Sequence, residues 1–199
     1  MNKSRKIMAA MATPVAVVAA GAMVYQASYA AFSGQTRNSG NQWSTGSVKL
    51  TDDDGGSSRF QVTALKPGDN GSACIKLTAD ASVPSTVKGY TINPVSSGSD
   101  LENRIKMKVE AGTGGTFQNC AGFTPVEGEP VVPEVTLTTL ATAQSWDSAL
   151  GGWIVPAGVS ERTYRFSWRF DTTGMTQTQI DALQGKTTGL DLQWEMRNN

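Results

Sequence analysis

The stretch Arg162-Thr-Tyr-Arg-Phe-Ser-Trp-Arg-Phe-Asp171 carries the clearest order in the chain. Tyr164, Phe166, Trp168 and Phe170 alternate with Thr163, Arg165, Ser167 and Arg169. Successive side chains of a strand point to opposite faces, so this spacing puts the rings on one side and the polar or charged groups on the other. It predicts a strand with one face in a core. A stripe of rings also suits sugar stacking, but a polar opposite face in register favours the core.

The same period returns near the C-terminus, where Leu190, Leu192, Trp194 and Met196 alternate with Asp191, Gln193, Glu195 and Arg197. It returns again in the middle, where Ile105, Met107 and Val109 alternate with Lys106, Lys108 and Glu110. Less regular strands are read at Ser47 to Thr51, Arg59 to Leu65, Ala73 to Ala79, Thr86 to Ile92, Thr136 to Leu140 and Gly152 to Val155, separated by Gly, Pro, Asp and Ser clusters. Many short strands without a βαβ rhythm predict an all-β fold, two antiparallel sheets packed as a sandwich or jelly roll.

Short helices are expected in the connections. Thr176-Gln-Thr-Gln179 fits a capping box, with Gly185 as the stop, and Leu140 to Leu150 is a weaker candidate. From Gly112 to Pro133 the composition shifts to Gly, Pro and Glu, which predicts a long exposed loop with Cys120 tethering it to the sheet.

Ahead of this body, Met1-Asn-Lys-Ser-Arg-Lys6 leads into the apolar Ile7 to Val24 and then into Ala27-Ser-Tyr-Ala-Ala-Phe32. Cations, an uncharged run and small residues at Ser28 and Ala30 have the form of a secretory signal cleaved before Ala31; an uncleaved signal peptide would be the chain's contact with a membrane. The expected organisation is a signal peptide over 1–30, an extended segment over 31–46 and one sandwich domain over 47–199. The whole chain balances 17 basic against 17 acidic residues, and loss of Lys3, Arg5 and Lys6 leaves a net charge of −3. That charge does not attract nucleic acid.

An exported chain meets an oxidising compartment, and Cys74 and Cys120 are its two cysteines. A disulfide between them is expected; two buried free thiols are the alternative. The chain has no histidine. Ser-His-Asp and Cys-His catalysis and the histidine zinc sites of most metallopeptidases are thereby excluded, and no enzymatic site is expected. Asp52, Asp53 and Asp54 with Gly55 and Gly56 form the densest charge cluster. Three carboxylates could hold Ca²⁺, although the spacing is not that of an EF-hand. A hairpin turn between Ser47–Thr51 and Arg59–Leu65 explains the same residues without a cofactor. Trp43, Trp146 and Trp153 lie outside the strong strands and are candidates for an exposed contact surface.

Several blocks resemble the TasA/camelysin family. They are Tyr29-Ala-Ala-Phe-Ser33, Trp43-Ser-Thr-Gly46 with Val48-Lys-Leu50, Leu65-Lys-Pro-Gly-Asp69 with Gly71, and Val83-Pro-Ser-Thr-Val-Lys-Gly-Tyr90. Thr163-Tyr-Arg-Phe166 and Trp194-Glu-Met-Arg-Asn198 are similar to secreted actinobacterial-type members. The resemblance implies a jelly-roll domain, a signal removed by a SipW-type signal peptidase, and a subunit of extracellular matrix, biofilm or cell-surface fibres that partners itself. In such fibres the N-terminal segment of one protomer adds a strand to the next. Here the donor would be Ala31 to Gln42, anchored by Phe32. The family also carries a metallo-endopeptidase label, for which Asp52, Asp53 and Asp54 would be the metal ligands. A secreted carbohydrate-binding or adhesion sandwich is the remaining reading.

Overall fold

The computed structural model describes residues 46–57, 62–126 and 132–199. The signal, the donor segment, Phe32 and Trp43 lie outside the described residues.

Two antiparallel sheets form the body. The large sheet runs β1 (Val48–Asp52), β2 (Asn70–Ala81), β8 (Gly158–Phe170), β4 (Ile105–Thr113), with β5 (Thr124–Pro125) and β6 (Val132–Thr136) both pairing with β4. The small sheet runs β7 (Leu150–Val155), β3 (Ser85–Val95), β9 (Gly189–Asn198). The chain changes sheet after β2, β3, β6, β7 and β8, so the expected all-β sandwich is what forms. Short helices occupy crossovers: α1 (Leu101–Arg104), α2 (Leu137–Leu140) and α3 (Gln177–Asp181).

The period-two pattern places the core. Ala73, Ile75, Leu77 and Ala79 of β2, Tyr164, Phe166 and Phe170 of β8, and Ile105, Met107, Val109 and Ala111 of β4 are buried between the sheets. Phe166 is 1% exposed, the largest side chain so fully enclosed. Its strand is central because β2 and β4 pair with its two edges, from Asn70 opposite Arg169 on one side to Gly112 opposite Thr163 on the other. Glycine permits one close approach here. Gly89 of β3 lies opposite Trp194 of β9, and a methyl group at that position would sit 2.5 Å from the indole. The Trp194 ring can therefore lie across the strand and reach Tyr164, with ring centroids 4.4 Å apart.

The capping box forms as the spacing predicts. Thr176 Oγ1 accepts from Gln179 N, and the Gln179 side chain accepts from Thr176 N at 2.8 Å. Other expectations fail for local reasons. Thr136 to Leu140 is not a strand, because Thr136 caps a helix by accepting from Thr139 N at 3.0 Å; residues 137–140 are then helical and 141–149 are turns, which also displaces the helix expected at Leu140 to Leu150. Residues 59–61 of the expected strand lie outside the described residues; Val62 to Leu65 is not a strand, and among the described residues β1 pairs with β2.

Candidate functional site

Part of the outer face of the large sheet is covered. Cys74 points outward from β2, opposite Arg165, and is bonded to Cys120, with Cα atoms 5.4 Å apart. Residues 114–126, largely exposed as the composition predicts, are thereby tethered to the sheet, and Cys74 and Thr163 on its outer face are fully buried. Gly114 turns with φ 73°, where a side chain would strike the Gly122 carbonyl oxygen. The Arg165 guanidinium stacks on Phe123 at 4.5 Å and also bonds Glu110 at 2.7 and 3.0 Å. Lys108 first, then Arg165, hold the Glu110 carboxyl below the usual carboxylate range.

The aspartate cluster is distributed over separate tasks. Asp53 Oδ1 accepts from Lys76 N at 2.8 Å, and its Oδ2 accepts from Phe117 N at 2.7 Å. One carboxylate thus ties the next amide of β2, just past the β1 pairing, to the cover loop. Asp54 accepts from Gly56 N at 2.6 Å in a tight turn with Gly55 and Gly56 at positive φ. Burial, then the neighbouring Asp54 carboxyl, pushes the Asp52 carboxyl up. Among the described residues no group of three or more His, Cys, Asp or Glu side chains converges as a metal site.

The tryptophans divide. Trp153 is buried, contrary to its expected exposure, with the Arg162 guanidinium 5.1 Å from its ring centre. Trp146 is half-buried on the outer face of the small sheet, where Lys88 and Arg197 lie 4.8 and 4.5 Å from its ring centre. Beside it the Tyr90 hydroxyl donates to Glu195 at 2.9 Å and accepts from Gln193. Arg197, then Tyr90, keep Glu195 below the usual carboxylate range. Sequence reasoning missed this cluster because its members come from β3, β9 and a turn; a tryptophan outside any strand was the available signal.

The small sheet has unpaired edges. Among the described residues nothing pairs with the outer side of β7 or of β9. Leu190, Leu192, Trp194 and Met196 of β9 face inward yet are only half-buried. A cavity of about 30 Å³ lies between the sheets, lined by Val132, Leu150, Tyr164, Phe166, Leu192 and Trp194 among others. It has room for a water or a methyl group. An aromatic ring arriving there would have to displace a lining side chain.

The chain matches no family model and no curated protein sequence. No helix among the described residues is long and apolar enough to cross a membrane.

Proposed function

We propose that the protein is a secreted, non-catalytic subunit of cell-surface or matrix fibres, in which Ala31 to Gln42 of one copy adds as a strand to a sheet edge of the next. The observation that carries this reading is the three-stranded small sheet, whose two outer strands have no partner among the described residues while the facing sheet is wider. Unpaired N–H and C=O groups along an edge form a template for any extended segment, and backbone hydrogen bonds give affinity whatever the incoming side chains. The β7 edge suits such a donor. Its first residue, Leu150, lines the cavity between the sheets, where an apolar anchor such as Phe32 would seat by displacing it.

The Cys74–Cys120 bond fits an oxidising, extracellular site of work. The sequence of Ala31 to Gln42, mostly Gly, Ser, Asn, Gln and Thr around Phe32, fits a segment that gains order on pairing. Maturation by a SipW-type signal peptidase would free that segment.

Negative-stain microscopy of the purified secreted protein tests the reading. Filaments are expected from the natural chain, and a soluble folded species from a chain lacking Ala31 to Gln42. Filaments of unchanged repeat from the shortened chain would overturn it.

A further inference from the structure

β9 differs from every other edge strand among the described residues. β1, β5, β6 and β7 are short, β6 contains Pro133, and β7 begins Leu150-Gly-Gly152. Brevity and proline are the ordinary means by which a sheet edge is denied to a second chain. β9 has 10 residues and no proline, and its register with β3 is unbroken from Asp191 opposite Ile92 to Asn198 opposite Ser85. Among the described residues no strand pairs with its outer ladder, although β1 of the facing sheet approaches it, and its apolar row Leu190, Leu192, Trp194, Met196 is half-buried.

The charges on the outer face of β9 select what fits there. In a continued antiparallel sheet, residues directly opposite share a face. A two-fold axis through Trp194 would place Asp191 across from Arg197 twice, Gln193 across from Glu195 and Leu192 across from Met196. An axis through Gln193 would oppose Asp191 to Glu195, and one through Glu195 would oppose that carboxylate to itself. Centring on Leu192 or Met196 shortens the paired stretch. Asp191 and Arg197 are held on that face already: Asp191 accepts from Asn93 at 2.9 Å, and Arg197 bonds Glu195 at 2.6 Å beside Trp146.

We propose that β9 pairs antiparallel with β9 of a second copy about a two-fold axis through Trp194, joining two small sheets into one continuous sheet. The contact is isologous, so it closes on itself as a dimer. It is independent of the fibre reading, which is heterologous and leaves β7 for the donor segment. Together the two contacts would pair filaments side by side.

Sedimentation of the soluble protein over a range of concentrations tests the proposal. The natural chain should behave as a reversible dimer. Asp191→Arg and Arg197→Asp should each raise the dimer dissociation constant on the order of tenfold, since each turns two attractive cross-strand pairs repulsive. The double variant D191R/R197D restores opposite charges at both places and should return the constant close to the natural value. Both residues are exposed, so the fold is expected to survive, as thermal unfolding would verify. A monomer at every concentration, a dimer indifferent to the single changes, or a double variant no better than the singles would each overturn the proposal. Filament formation is read separately by microscopy, so the failure of one contact is distinguishable from failure of the other.

Discussion

The two sheets are finished differently. The large sheet has the part of its outer face around Cys74 and Arg165 covered by residues 114–126, and that cover is fixed by the disulfide, by Asp53 and by Arg165 on Phe123. The small sheet carries a single half-buried tryptophan over Lys88 and Arg197 and ends at β9 with its inward row half-buried. The large sheet thus carries a partial cover and leaves only short strands at its edges, whereas the small sheet leaves the long β9 at its edge. The proposed contacts with other molecules are assigned to the small sheet because β9 is the longest of the edge strands among the described residues.

The contrast can be broken most severely in the core. Phe166→Ala should cost about 3–5 kcal/mol, the range for a fully enclosed ring whose cavity collapses only in part. Trp194→Ala, although it removes a larger ring, should cost the folded chain less, about 2–3 kcal/mol, because the indole is only partly enclosed. Denaturant unfolding of both variants checks this; equal losses would mean that the β9 row is as well enclosed as the β8 row.

The covered face comes next. Replacing Cys74 and Cys120 together by Ala should lower stability by about 2–4 kcal/mol, the cost of freeing a loop whose closing residues are 46 apart. Limited proteolysis should then cut within 114–126 first. Intact mass after alkylation without reductant should show no added label on the natural chain. Two labels would remove the disulfide from the account of the cover.

The smallest effect concerns the crossover between the sheets. Glu102 of α1 accepts from the hydroxyls of Ser96 and Ser97 and from Ser97 N, with the Ser97 hydroxyl contributing most, and its pKa is lowered from 4.5 to about 2. A carboxyl with a depressed folded pKa stabilises above its unfolded value and loses that contribution as pH falls through the folded one. The melting temperature should therefore decline between about pH 4.5 and 2, and Glu102→Gln should decline less steeply over the same window. An unchanged slope in the variant would assign the acid sensitivity to other carboxyls.

Much of the fold was legible because alternation is a local property. Tyr164, Phe166 and Phe170, and likewise Ile105, Met107 and Val109, declare which face is buried without reference to any partner strand. Thr176 and Gln179 declare a helix start because both bonds of the capping box lie within four residues. The Thr136 helix was misread for the complementary reason. Val135 and Leu137 continue a strand-like alternation, and only the cap geometry ends it.

The sequence by itself determined the regularly alternating strands β4, β8 and β9, their core faces, the capped helix and the pairing of two cysteines, since each rests on neighbours in the chain or on a count. The tertiary structure decided that β1 joins β2, that Asp53 binds two amides, that Trp153 is enclosed while Trp146 is not, and that β9 is left at an edge. A strand's N–H and C=O groups accept any strand of suitable length. Which strand arrives, and which edge is left open, follows from how the whole chain crosses between the sheets.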